Sequence, residues 1–385
     1  MDNTSYIELS ESALANNFTY IRDRLAPGAR LSHVVKGNAY GHGIDPFVPL
    51  AHKLGADHFS VFDVHEAENV VKALGGEPVD IIIMGMVAQE QLEWVIQNEI
   101  GYFVFDSKRL EQSVLIAKKL KKKAKVHIEL ETGMNRSGFE MENWPQITRF
   151  LRENAAYLEL QGLCTHFAGA ESIANHLRVR QQIKNFRKGR ALFKNADLIP
   201  QWSHTACSAA FLRFPKTHLD LVRIGILQYG YWPSIETYIS IAGLEENPVD
   251  PLQRVISWKS RVMNVKKVHK GEYIGYGTSF LATQEMKVAS VPVGYSHGFS
   301  RSLSNSGRAL VRGMRVGVVG VVNMNVMMLD VSNLDHVEIG DEVVLIGKQG
   351  DQEISVSSFS EYSDQMNYEL LTRLPLDIPR RVKAI

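Results

Sequence analysis

Residues 31–43 read LSHVVKGNAYGHG, from Leu31 to Gly43. An apolar run with two β-branched valines ends abruptly at Lys36, and a loop holding Gly37, Gly41 and Gly43 follows. The pattern predicts a buried strand that delivers an amine at its C-terminal end, with glycines letting the chain turn tightly. A lysine in that position has two readings. It is a solvated strand-end lysine, as most lysines are, or a desolvated amine able to form a Schiff base with an aldehyde cofactor.

Similar strand-like runs recur on either side of helix-like ones through about residue 230. The strand candidates are 31–35, 58–61, 79–84, 102–104, 126–130, 158–164, 199–203 and 219–224. Amphipathic stretches at 10–24, 45–54, 65–74, 88–98, 107–121, 143–154 and 174–194 lie between them. About eight β/α units predict an N-terminal (β/α)8, TIM-like barrel in preference to a doubly wound sheet. Beyond Tyr238 the alternation gives way to short β-rich runs with turn residues: VISWKSRVMNVKKV, YIGYGTSF, KVASVPVGY, GRALVRG, MRVGVVGVVNMNVMMLDV and DEVVLIG. They predict a C-terminal, mainly antiparallel β domain, a small barrel or sandwich. The stretch 239–251 is read as the junction, so the barrel spans 1–240 and the β domain 241–385.

Composition narrows the function classes. Across 385 residues, Lys plus Arg number 43 and Asp plus Glu 42, so net charge implies no polyanionic partner. The lysine run KKLKKKAK at 118–125 lacks interleaved aromatics and sits at a predicted helix end, where cations suit the dipole, so no nucleic-acid partner is expected. Two cysteines, Cys164 and Cys207, make no disulfide framework. The start, MDNTSYIELSESAL, does not resemble a secretory signal, and the longest apolar run, near 79–88, is too short to span a bilayer. The expected location is the cytoplasm, with no membrane association.

In a (β/α)8 barrel, chemistry gathers at the C-terminal strand ends. Five predicted ends carry Lys36, Arg136 (in ETGMNRSG), His166 (in CTHFAGAE), His204 (in WSHTACSAA) and Arg223 (in LVRIGI). Each alone could be a structural histidine or a rim ion pair; five facing one mouth point to a catalytic constellation. Ser208 opens a helix after a strand, and Gly225 and Ile226 follow another, so hydroxyl and amide donors for a phosphate are available.

The blocks VVKGNAYGHG, ETGMNRSGF, THFAGAE, HTACSAA, LVRIGILQYG, GEYIGYGTSF, VGYSHGFSR, NMNVMMLDV and MNYELLTRLPLDIPR, in that order, resemble the alanine racemase family along nearly the whole chain. The resemblance implies a pyridoxal 5'-phosphate (PLP)-dependent isomerase, a homodimer with shared active sites that takes a small amino acid and supplies D-alanine for peptidoglycan. It implies that Lys36 holds PLP and acts as one acid–base group, with Tyr276 of the opposite subunit as the other. Tyr40, Ser208, Gly225, Ile226 and Tyr368 would surround the phosphate. Arg223 would face the pyridine nitrogen with His204 behind it. Arg136 would touch the phenolic oxygen and the substrate carboxylate, His166 would hydrogen-bond Tyr276, and Met324 would offer its backbone to the carboxylate. No metal is implied.

The sequence departs from the family in four places. Glu129 stands where many members have a carbamylated lysine, and is expected to supply that negative charge itself. Asn323-Met324-Asn325-Val326 replaces Cys-Met-Asp-Gln, His297 replaces an aspartate, and Val321 replaces an arginine. The last two positions belong to the substrate access corridor, so a racemase of another small or polar amino acid competes with alanine. A PLP decarboxylase of similar layout normally uses a β-domain cysteine, and both cysteines here fall in the predicted barrel. A metal-assisted dehydratase or aldolase would want a His/Cys pair in the β domain. A non-catalytic PLP-binding protein would lack the β domain and its tyrosine.

Overall fold

The computed structural model describes residues 4–243, 249–356 and 367–384. Strand β1 (Tyr6–Ser10) opens the chain, and a helix, Glu11–Arg22, leads to the first barrel strand, β2 (Arg30–Val34). The remaining barrel strands are β3 (His58–Val61), β4 (Asp80–Ile83), β5 (Gly101–Val104), β6 (Ala124–Glu129), β7 (Leu158–Cys164), β8 (Trp202–His204) and β9 (Leu221–Ile224). All eight strands expected from the apolar runs are present, with ends shifted by a few residues. They pair in parallel in the order β8-β7-β6-β5-β4-β3-β2-β9. Between β8 and β9, Asp220 N–H donates to the Ser203 carbonyl (3.1 Å) and Asp220 Oδ2 accepts from Ser203 N–H (2.7 Å), so the barrel is nearly closed.

The helices start where local chemistry favours it. Asp63 caps Val64–Ala73 by accepting from Glu66 N–H, while Glu66 accepts from Phe62 N–H, a reciprocal pair that satisfies two otherwise orphaned donors. Asp106 caps Ser107–Leu120 by accepting from Arg109 N–H at 2.9 Å, and Lys121 ends that helix in the left-handed region at φ 53°. The lysine run therefore occupies a helix end. Lys119 pairs with Glu93 at 2.6 Å and Lys122 with Glu99 at 3.2 Å.

A second sheet holds β1 together with β10 (Ile256–Arg261), β11 (Asn264–Val268), β12 (Met286–Val291), β13 (Arg308–Val311), β14 (Met314–Val319), β15 (Met327–Asp330), β16 (Glu342–Gln349), β17 (Gln352–Ile354) and β18 (Arg380–Lys383). It is antiparallel except for the β1–β18 pair. The run YIGYGTSF forms no strand; it is a loop with one bridge, Tyr273 to Leu281.

Chain contacts divide the protein into two compact units. One comprises the described residues of 1–13, Gly37–Phe47 and the described residues from Arg254 onward; the other comprises Leu14–Lys36 and the described residues of 48–253. The sequence reading drew a single boundary after residue 240, whereas these units interleave. No helix among the described residues is long and apolar enough to cross a membrane.

Candidate active site at the barrel mouth

The barrel unit carries one polar constellation at its C-terminal strand ends. Strand β2 is pinned there. The Val34 carbonyl accepts from Gln228 Nε2 and Tyr229 Oη, both at 2.9 Å, and Val35 N–H donates to Ser60. Lys36 follows at once. Its side chain is open to solvent, yet protein crowding its amine desolvates it, and Arg136 and Arg223 add repulsion, so its pKa is held below the usual lysine value.

After Lys36 the backbone does something the glycines alone do not predict. Gly37, Asn38, Ala39 and Tyr40 take φ values of 62°, 53°, 53° and 51°, one turn of left-handed helix. For three non-glycine residues this conformation costs about 1–2 kcal/mol each. Local bonds offset the cost. Asn38 Oδ1 accepts from Ile44 N–H at 2.9 Å, and the Asn38 carbonyl accepts from Gly43 N–H at 2.9 Å. Gly41 has to be glycine, because a Cβ there would lie 1.8 Å from the Leu371 carbonyl oxygen. The turn, with Tyr40, belongs to the β unit.

Arg136 is delivered by the loop after β6. The Glu131 carboxylate gathers the N–H groups of Gly133, Met134 (2.7 Å) and Asn135 (2.8 Å), folding the loop that carries Arg136, whose charge is felt at Lys36, Glu129 and His166. Glu129 is 4% exposed. Burial raises its pKa, while a hydrogen bond from Ser137 and the nearby Arg136 and Arg223 charges oppose that rise. His166, in the same mouth, is lowered to about 3 by burial and by the cations Arg223, Arg136 and Lys36, so its ring is neutral at physiological pH.

Arg223 is buried, and among the described residues no carboxylate is hydrogen-bonded to it. One Nη donates to His204 Nδ1 and to the His204 carbonyl (3.1 Å); the other donates to the carbonyls of Thr165 (2.9 Å) and Thr205 (3.5 Å). All four Nη hydrogens are thus used inside the protein, and among the described residues Nε–H has no hydrogen-bond acceptor. An arginine can only donate, which fixes everything behind it. His204 must accept at Nδ1 and so carries its proton on Nε2. That proton goes to His127 Nδ1 at 2.9 Å, and His127 Nε2–H goes to Gln161 Oε1 at 2.9 Å. Burial lowers both histidines, His127 to about 3, so the chain is a series of neutral rings.

Ser208 opens a short helix, Ser208–Arg213, and its Oγ accepts from Gly225 N–H at 3.0 Å. Ile226 begins a 3-10 turn, so its N–H has no acceptor within that turn. The structure therefore brings Lys36, Arg136, His166, His204, Ser208, Arg223, Gly225 and Ile226 together in one unit. Sequence reasoning missed His127, Gln161, Thr165 and Glu131. The only signal for the first two was a polar residue inside an apolar strand run.

The other expected residues lie in the β unit. Tyr276 is 75% exposed in the loop after β11, between Gly275 (φ 76°) and Gly277 (φ 69°). The Met324 carbonyl accepts from Ser296 N–H (3.0 Å) and Ser296 Oγ (2.7 Å), and Asn325 donates to Ser296 Oγ at 2.8 Å. His297 Nδ1 accepts from Gly294 N–H at 3.2 Å. The departing segments 294–297 and 323–326 are thus bonded to one another. Tyr368 falls in the helix Asn367–Thr372, but its side chain lies outside the described residues.

Known proteins resemble this chain along nearly its whole length. Residues 9–233 match the model of the alanine racemase N-terminal domain and residues 255–382 that of the C-terminal domain. An alanine racemase from Leptospira interrogans is 35% identical over 383 residues, 98% of this chain and 96% of its own length. One from Methanococcus maripaludis is 34% identical, with 97% of each chain covered. Among solved structures, the alanine racemase of Bacillus anthracis with bound L-Ala-P aligns over 100% of this chain and 96% of that one, at TM-score 0.89 and 31% identity. The chain belongs to the alanine racemase family of isomerases.

Proposed function

We propose that this protein is a PLP-dependent racemase that interconverts L- and D-alanine with two acid–base groups, Lys36 and Tyr276. The observation that carries the reading is the arrangement around Arg223. Its guanidinium is held by both Nη groups with Nε–H left over, in the same mouth as an amine of lowered pKa. That donor set fits PLP. Lys36 would hold the aldehyde carbon, Arg223 Nε–H would meet the ring nitrogen, and Ser208, Gly225 and Ile226, with Tyr40 and Tyr368, would hold the phosphate. When bound, PLP supplies the electron sink that makes a substrate α-proton removable.

Racemisation takes the proton from one face and returns one to the other, so two groups on opposite sides are required. Lys36 Nζ suits one role because desolvation and neighbouring cations leave more of it unprotonated near neutral pH. Tyr276 Oη would serve the other face from a second copy of the chain, hydrogen-bonded to the neutral ring of His166. Arg136 would bind the substrate carboxylate, with the Met324 N–H, whose carbonyl is already committed to Ser296. Glu129 would orient Arg136 as a built-in anion. Arg223 keeps its proton, so the ring nitrogen it meets would stay largely unprotonated, which should discourage transamination. Alanine is favoured because the relatives at 34–35% identity are alanine racemases. The product D-alanine would serve cell-wall synthesis in the cytoplasm.

The test is an amino-acid panel in deuterated water with PLP, following α-deuterium incorporation and D-isomer formation together. Exchange with accumulation of D-alanine is expected. Preference for another amino acid would shift the substrate and place its cause at His297, Val321 and Asn323–Val326. No exchange with any amino acid, alongside a PLP absorbance band that Lys36→Ala abolishes, would replace the reading with a PLP-binding protein.

A further inference from the structure

Outside the barrel mouth, the most unusual feature is the helix His176–Asn195. It carries seven Lys and Arg residues and no Asp or Glu. The whole chain has 43 cations and 42 acids, so 36 cations face 42 acids elsewhere and this one helix reverses the sign. Its apolar face is already spent, with Val179, Phe186 and Phe193 buried. The outward face is left cationic, and such a face draws anions toward it.

Beside this helix lies a cavity of about 240 Å3. Phe167, Phe186 and Ile183 form part of its wall, and Arg187, Arg190 and Lys216 stand around it. The two phenylalanines are buried and the three cations are exposed. Among the described residues, none of the three cations has a carboxylate within ion-pair distance. The hydroxyls of Thr205 and Thr217, also in the lining, donate inward to the carbonyls of Thr217 (3.0 Å) and Phe214 (2.7 Å), so towards the cavity they can only accept. The chemistry of the pocket is thus an apolar wall under a cluster of three uncommitted positive charges.

We propose that this pocket binds a small phosphomonoester with an apolar or aromatic body. A phosphate carries nearly two negative charges at neutral pH and three acceptor oxygens, and it matches two forked arginines and a lysine better than a carboxylate does. A cavity of about 240 Å3, open on one side, has room for a small aromatic ring with its phosphate among the cations. Phe167 and Thr205 directly follow His166 and His204, so the pocket wall is one residue from each of those positions. The site is separate from the phosphate donors Ser208, Gly225 and Ile226, none of which lines it.

The experiment uses full-length protein loaded with PLP and freed of excess, titrated with phenyl phosphate, inorganic phosphate and benzyl alcohol. Calorimetry gives affinity, and aromatic NMR shifts of Phe167 and Phe186 give location. Phenyl phosphate is expected to bind saturably, at least tenfold more tightly than either of the other two, and to shift both rings. Arg187→Glu with Arg190→Glu, and separately Lys216→Glu, should each weaken it at least tenfold, with thermal unfolding unchanged. Equal binding of inorganic phosphate, unmoved ring signals, or unchanged affinity in both charge variants would overturn the proposal. The readout is binding, so it stands or falls independently of the racemase activity.

Discussion

Gly162→Ala tests the neutral-ring chain behind Arg223 with a single methyl group. Gly162 lies in β7, beside the point where the β6–β7 register shifts between Val126 and His127. A Cβ built there would sit 1.9 Å from His127 Nδ1 and 2.7 Å from its Cε1. Ordinary contact needs roughly 3.5–4 Å, so the ring must withdraw by well over an ångström. The 2.9 Å bond from His204 to His127 cannot survive that movement. Overpacking costs about 1–3 kcal/mol, and the stranded His204 Nε2–H, buried without an acceptor, costs about 1–3 kcal/mol more. The sum is about 2–6 kcal/mol, and for a domain of this size each kcal/mol lowers Tm by about 2–4 °C. Thermal unfolding of the PLP-free protein should therefore fall by at least about 4 °C. Racemisation rates in both directions should fall too, because Arg223 loses its fixed acceptor. Gln161→Leu removes the far end of the chain without adding bulk. It should reproduce the loss of activity with a smaller loss of stability. A Gly162→Ala protein that unfolds within 1 °C of the parent and racemises at the parental rate would refute the reasoning.

Acid should weaken the barrel through histidines it keeps neutral: His33 is lowered to about 4, and His127 and His166 to about 3, from a usual value near 6.5, with burial the first cause in each. Folded values below unfolded ones mean the unfolded chain takes up protons first as pH falls, so stability is full above about pH 6.5 and declines below it, by up to about 1.4 kcal/mol per pH unit for each ring; urea midpoints that stay flat from pH 7 to pH 4 would contradict this. Glu129→Gln removes the buried negative charge whose attraction reaches Arg136 and Arg223; with that orienting charge gone, kcat/KM should drop at least roughly tenfold, about 1.4 kcal/mol in the barrier, and an unaffected variant would reject the orienting role. If Tyr276 acts across subunits, mixing a Lys36→Ala protein with a Tyr276→Phe protein should restore part of the activity, and none returning after proven subunit exchange would count against a shared site.

The barrel was legible because its strands are apolar runs bounded by turns, and each run needs only local burial to declare itself. Lys36, His166, His204 and Arg223 were legible for the same reason, since a titratable polar side chain at the end of such a run is conspicuous, and Arg136 stood out in the loop that follows one. β1 was not, since YIELS earns its strand only by pairing with β10 and β18, some 250 and 370 residues away. The left-handed turn shows a different limit. Gly37, Gly41 and Gly43 announce a tight turn, but Asn38, Ala39 and Tyr40 follow them into the left-handed region only because Ile44 and Gly43 supply the compensating bonds.

His127 marks where sequence reading stops. In a parallel strand buried on both faces an isolated histidine looks like an accident of composition, and nothing local says whether its ring meets solvent, metal or another ring. Three separate features give it meaning. The β6–β7 register shifts beside it, Gly162 leaves room for the ring, and Gly101 leaves room for its partner, since a Cβ at Gly101 would lie 2.4 Å from Gln161 Oε1. Two glycines in strands read naturally as weak points. Here they are what lets a donor-only arginine rest, through two neutral rings, on a single amide oxygen. The direction of every proton in that chain follows from Arg223 being unable to accept a hydrogen bond.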